Sequence, residues 1–152
     1  MKQISSIIFT LLLACTATYA QIENPVSWNF TAKKISPRVY EVHLTASISG
    51  NWHIYSQNAG EGPEPTSFSF NKNPLVKLVG NVQELGKLET AYDPNFKSTL
   101  RFYNGKVDFV QKITLRSDAS TTLKGNVVYM VCNDSRCLPP KEIPFSIKIE
   151  GK

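Results

Sequence analysis

The chain has 152 residues, 41% of them hydrophobic, and a formal charge of +5. That length holds one domain with a proper hydrophobic core. Its 17 Lys and Arg residues are scattered, with only Lys33 and Lys34 adjacent, and lack the clusters that nucleic acid would require of a partner.

The first twenty residues have the form of an export signal. Lys2 gives a positive start, Ile7 to Ala14 an apolar core, and Thr18-Tyr19-Ala20 a small-residue cleavage site before Gln21. The apolar run is shorter than the roughly 20 residues a spanning helix needs. Two alternatives stay open: a short uncleaved anchor, or a lipoprotein signal at Leu12-Leu13-Ala14-Cys15 that would leave Cys15 lipidated. Leu13 fits the second pattern poorly. Loss of residues 1–20 removes Lys2 and no acid, taking the charge from +5 to +4. An export signal followed by only two further cysteines points to a periplasm or cell exterior, where disulfides form and persist.

Residues 21–152 read as a single domain made of strands. Val26 to Phe30 alternates, with Val26, Trp28 and Phe30 on one face. Val39 to Ile48 is the clearest strand, setting Tyr40, Val42, Leu44, Ala46 and Ile48 against a more polar face that holds His43. After a turn at Gly50-Asn51 comes Trp52 to Ser56, then a Gly- and Pro-rich loop from Asn58 to Pro65 and a strand from Thr66 to Phe70. Leu75–Val79 and Val82–Leu88 are expected as two short strands around Gly80-Asn81, with a loop over Glu89–Lys97. Asn104-Gly105 predicts a hairpin between Leu100–Tyr103 and Val107–Leu115. Val127–Val131 leads into the cysteines, and Ile143–Ile149 closes the chain. No helix of ten or more residues is expected. Many short strands with frequent turns give an all-β fold, and an immunoglobulin-like antiparallel β-sandwich is the choice over a small barrel.

The chemistry concentrates in Tyr129–Pro140, YMVCNDSRCLPP, where Cys132 and Cys137 flank a polar loop. Most exported cysteine pairs are staples, but closing about six residues stabilises a fold by only roughly 2 kcal/mol. Arg136 and Lys141 supply positive charge that favours a thiolate, against the opposing Asp134. Pro139 and Pro140 restrict how Cys137 is presented. Three functions compete: a redox pair, a binding module with a structural disulfide, and a copper(I) carrier built from the cysteines, Met130 and His53. The spacing matches no zinc motif, and no Ser/His/Asp set or phosphate loop is present. His43 is expected to be a solvated residue.

The run Tyr129–Pro140 resembles the redox motif of the amino-terminal periplasmic domain of the thiol:disulfide interchange protein DsbD. Gly50-Asn51-Trp52-His53-Ile54-Tyr55 is similar to that family's aromatic strand facing the cysteines. Asp93-Pro94-Asn95-Phe96-Lys97-Ser98 falls where the family carries its cap loop. The resemblance implies an immunoglobulin-like sandwich in which Cys137 attacks and Cys132 resolves. It implies that Phe96 covers the disulfide, that Tyr55 and Trp52 line the pocket, and that Asp93 belongs to the cap; His53 lies beside them. It also implies a monomeric protein-disulfide reductase with no cofactor and no metal. Partners would be thioredoxin-like or other disulfide-carrying proteins, with a separate membrane or thioredoxin-like electron donor. Two departures stand out. The best-known members have one more residue between the cysteines, and their full-length proteins add a transmembrane electron-carrying domain and a thioredoxin-like domain.

Overall fold

The computed structural model describes residues 23–94 and 96–151; the expected export signal and Cys15 lie outside them. Strand β1 (Val26–Ser36) pairs antiparallel with β2 (Val39–Ile48). In β2, Tyr40, Val42, Leu44, Ala46 and Ile48 are all buried, as the two-residue period of a strand with one covered face demands. His43, on the other face, hydrogen-bonds Asp108 through Nδ1 at 2.7 Å.

The larger sheet is assembled along β6 (Ser98–Leu115). One edge of β6 takes two partners in series: β2 against residues 106–114 and β3 (His53–Tyr55) against residues 102–104. The other edge is covered by β5 (Val76–Asp93), and β8 (Val131–Cys132) adds to β3. The smaller sheet has the order β4 (Ser67–Phe70), β7 (Thr121–Tyr129), β9 (Lys141–Ile149). Leu44, Phe109 and Ile113 from the first sheet meet Leu123, Val127 and Ile147 from the second in one buried cluster. Each such side chain stabilises the fold by roughly 1.5–3 kcal/mol. Trp28 joins the layers, its ring 5.9 Å from Phe109 and 5.4 Å from Tyr129. The protein is an immunoglobulin-like antiparallel β-sandwich, and no helix occurs among the described residues.

Three local expectations are corrected. Asn104-Gly105 makes no hairpin, because β6 runs through it with β5 paired along both halves. Gly105, at φ +67°, sits where β6 passes from β3 to β2, so its left-handed backbone serves a kink rather than a turn. Val76–Asp93 is one strand with two register irregularities, not two strands around Gly80. The loop expected over Glu89–Lys97 therefore shrinks to residues 94–97, because residues 89–93 pair with β6.

One crossing positions the chemistry. After Tyr129 the chain leaves the smaller sheet, and at Val131 it enters the larger one beside β3. This places Cys132 directly opposite His53.

Candidate functional site

Cys132 and Cys137 are disulfide-bonded, with their Cα atoms 4.0 Å apart. The closeness has a backbone cause. Leu138 N donates to Val131 O and Asn133 N donates to Arg136 O, both at 2.9 Å. The cysteines thus form the narrow, non-hydrogen-bonded pair of an antiparallel ladder, where facing residues come closest. The side-chain Oδ1 of Asn133 accepts from the N–H groups of both Ser135 and Arg136 at 2.9 Å, which turns the chain between the cysteines. The two sulfur-bearing residues differ sharply in access: Cys132 is 2% exposed, whereas Cys137 lies on the exposed tip.

Strand alternation sorts the residues around them. Ile54, Tyr103 and Val131 point into the main core. His53, Tyr55, Leu100, Phe102 and Cys132 share the opposite face, where Tyr55, Leu100, Cys132, Phe102, Met130 and Phe96 form a second cluster. The His53 ring lies 4.5 Å from that of Phe102 and 5.3 Å from that of Tyr55, with Nε2 3.4 Å from the Tyr55 hydroxyl. Burial lowers the His53 pKa from its ordinary value, against the opposing pull of Asp134, Asp93 and Glu89. The same burial, reinforced by Asp93, pushes Tyr55 up to about 12. A cavity of about 220 Å³ opens between the end of β5 and the cysteine hairpin, lined among others by His53, Tyr55, Asp93, Phe102 and Asp134.

The loop joining β5 to β6 stands over this face. Asp93 Oδ1 accepts from the Phe96 N–H at 3.3 Å, tying the loop to the strand that carries it. The Phe96 ring rests against Gly62, where a Cβ would stand 2.8 Å from its Cγ. Gly62 belongs to a loop that is itself fastened. Arg101 N donates to Ala59 O at 2.8 Å, and the Thr66 hydroxyl returns the chain to Tyr55 O at 2.5 Å. Glu84 of β5 accepts from the Ser56 hydroxyl at 2.8 Å and from Gln57 N at 2.6 Å.

The sequence-predicted residues thus divide. Cys132, Cys137, Phe96, Tyr55, Asp93 and His53 come together around one face. Trp52 does not: it is buried in the main core and absent from the pocket lining. Trp52 and Tyr55 are three residues apart, an odd spacing that a strand turns to opposite faces. Arg136 and Lys141 are also engaged elsewhere. Arg136 pairs with Glu23 and lies 5.9 Å over the Trp52 ring, while Lys141 donates to Asn24. Phe102 and Gly62 are not singled out by the sequence, and Asp134, expected only to oppose a thiolate, also lines the cavity. Phe102 carries the period-2 signal of its strand, whereas Gly62 became visible only once its loop met Phe96.

This disulfide, with one cysteine buried and the other exposed, lies within a long stretch of the chain that matches a known family. The amino-terminal domain model of the thiol:disulfide interchange protein DsbD matches residues 22–148. The chain belongs to this family. Among solved structures, the amino-terminal periplasmic domain of ScsB from Proteus mirabilis is similar in fold, with TM-score 0.60, 15% identity and 86% of this chain covered. The chain spans 48% of that structure's length. The reduced amino-terminal domain of Neisseria meningitidis DsbD aligns with TM-score 0.52 and 17% identity, covering 72% of this chain and 78% of that one. Among curated proteins, none matches the chain in sequence. At these identities the structures establish the shared sandwich; the family membership rests on the sequence match.

Proposed function

We propose that this DsbD amino-terminal-like domain performs thiol–disulfide exchange with protein partners outside the cytoplasm, acting as a protein-disulfide reductase. Cys137 attacks a partner disulfide as the thiolate, and Cys132 then resolves the mixed disulfide. The unequal exposure of the two residues carries this order of action, since a partner sulfur can reach Cys137 and not Cys132. Phe96 is the lid, packed on the cluster that contains Cys132 and lifted when a partner docks. The partners are thioredoxin-like or other disulfide-bearing proteins, and a separate thioredoxin-like or membrane protein returns the electrons.

The location follows from the same chemistry. The amino-terminal segment acts as an export signal, cleaved either after Ala20 to free the chain or before Cys15 to leave that cysteine lipidated, and the mature chain works in a periplasm or comparable oxidising space. No helix among the described residues is long and apolar enough to cross a membrane.

Trapping tests the order of action. Cys132→Ala should accumulate mixed disulfides through Cys137 on non-reducing gels, and Cys137→Ala should accumulate none. Trapping by neither variant would remove the exchange reading, and leave a staple whose reduction potential falls below about −300 mV.

A further inference from the structure

Resolution of a mixed disulfide needs a thiolate at Cys132, and that is the less favourable of the two positions. Cys132 is almost fully buried among Tyr55, Leu100 and Ala59, and apolar burial raises a thiol's pKa. Arg136 and Lys141, the nearest basic residues in sequence, are turned toward Glu23 and Asn24. The structure offers a different group. His53 is the residue directly across the ladder from Cys132, on the same face of the sheet. Directly opposed Cβ atoms lie roughly 4.5–5.5 Å apart.

We infer that His53 is the general base for the resolving step, removing the proton of the buried Cys132 thiol. The proposal rests on the exchange reading above. In the tautomer whose Nε2–H donates to the Tyr55 hydroxyl, 3.4 Å away, Nδ1 is the unprotonated nitrogen that receives the proton. Phe102 packs against the ring and fixes its plane. The step balances within the mixed disulfide. His53 takes the Cys132 proton, and the Cys132 thiolate attacks Cys137 Sγ. The Cys132–Cys137 bond forms as the bond from Cys137 to the partner breaks. The electron pair leaves on the partner sulfur, which is then protonated through His53 and solvent. The pair is oxidised by two electrons and the partner disulfide is reduced by two.

The surroundings suit a base that must be neutral before the step and charged during it. Burial keeps the imidazole neutral near pH 7. The titratable groups facing it are Tyr55 from β3, Glu89, Tyr92 and Asp93 from β5, and Asp134 from the cysteine hairpin. The three acids among them would stabilise the imidazolium as it forms.

Stopped-flow oxidation of the reduced protein by 5,5′-dithiobis(2-nitrobenzoate) separates the two steps. The first thionitrobenzoate is released when Cys137 attacks, and the second when Cys132 resolves. His53→Gln should slow the second release about 100-fold at pH 7, within the usual range for general-base catalysis, while leaving the first nearly unchanged. The deficit should shrink by about tenfold per pH unit as hydroxide ionises the thiol instead. His53→Ala opens space beside a cavity of about 220 Å³, so added imidazole should restore the second release. An unchanged second release in both variants overturns the proposal, as does a loss that neither raised pH nor imidazole repairs. The exchange reading is checked separately: Cys132→Ala should keep the first release and Cys137→Ala should lose it, whatever His53 does.

Discussion

Phe96 is held by a neighbour that has no side chain. Gly62 has φ +120°, a backbone region that other residues occupy at a cost of about 1–3 kcal/mol, and a Cβ there would overlap the ring. Gly62→Ala should therefore destabilise the fold by about that amount and push Phe96 off the site. Reduction of the disulfide by dithiothreitol should then accelerate by a factor close to that of Phe96→Ala. A wild-type reduction rate in Gly62→Ala, beside an accelerated Phe96→Ala, would show that the glycine does not hold Phe96 in place. Tyr55 gives a second prediction at this scale. Its folded pKa of about 12 exceeds the ordinary value of 10, so the native state favours the neutral phenol. Its contribution is complete below pH 10 and is lost as pH rises toward 12. Tyr103 and Tyr129 are also raised, chiefly by burial, and add to the same loss. Urea unfolding between pH 9 and 12 should show a shallower decline in Tyr55→Phe, and an unchanged slope would contradict the assignment.

Among the elements, β5 does more than cover an edge. Its Glu84 carboxylate accepts from Ser56, Gln57 and, at 2.7 Å, the Tyr103 hydroxyl. The first two residues begin the loop that carries Gly62, so the carboxylate anchors the segment against which Phe96 rests. Glu84→Ala leaves three donors without their acceptor and should cost roughly 1.5–3 kcal/mol in denaturant unfolding. Protease cleavage within residues 57–65 should rise with it. A loss no larger than an ordinary surface substitution, about 0.5 kcal/mol, would mean that water replaces the carboxylate freely. The same strand shows where local signals mislead. Gly80-Asn81 looked like a turn between short strands, and Asn104-Gly105 like a hairpin. Each instead is a local irregularity within a longer strand, its glycine in left-handed backbone, because β5 and β6 pair on both sides of it.

For the molecule as a whole, the disulfide closes a loop of about six residues against a core spread over two sheets. Chain entropy assigns such a closure about 2 kcal/mol, so oxidised and reduced protein should differ in unfolding free energy by no more than about that. Guanidinium titrations of both forms check it. Unfolding on reduction alone would make the bridge a staple and return the function to a binding module. A small difference fits the proposed exchange role, in which the domain keeps its shape while the hairpin changes its bonding.

The sequence alone determined the all-strand content and the cysteine pair, because each is written in local pattern, whereas local pattern left sandwich and small barrel unseparated. Two-residue alternation in β2 and β6 names a buried face before any partner is known, and two cysteines five positions apart can meet without help from the rest of the chain. It also carried the motif by which the family was recognised. The tertiary structure decided which neighbours the cysteines have. Trp52 went to the core and His53 to the site, a matter of which strand face meets which layer. Arg136 turned to Glu23, and Gly62 came under Phe96, contacts between segments separated by 113 and 34 positions in the chain. The unequal exposure of Cys132 and Cys137 has the same origin. It comes from a chain that leaves one sheet at Tyr129 and joins the other at Val131, setting one cysteine in a ladder and leaving the other at its tip.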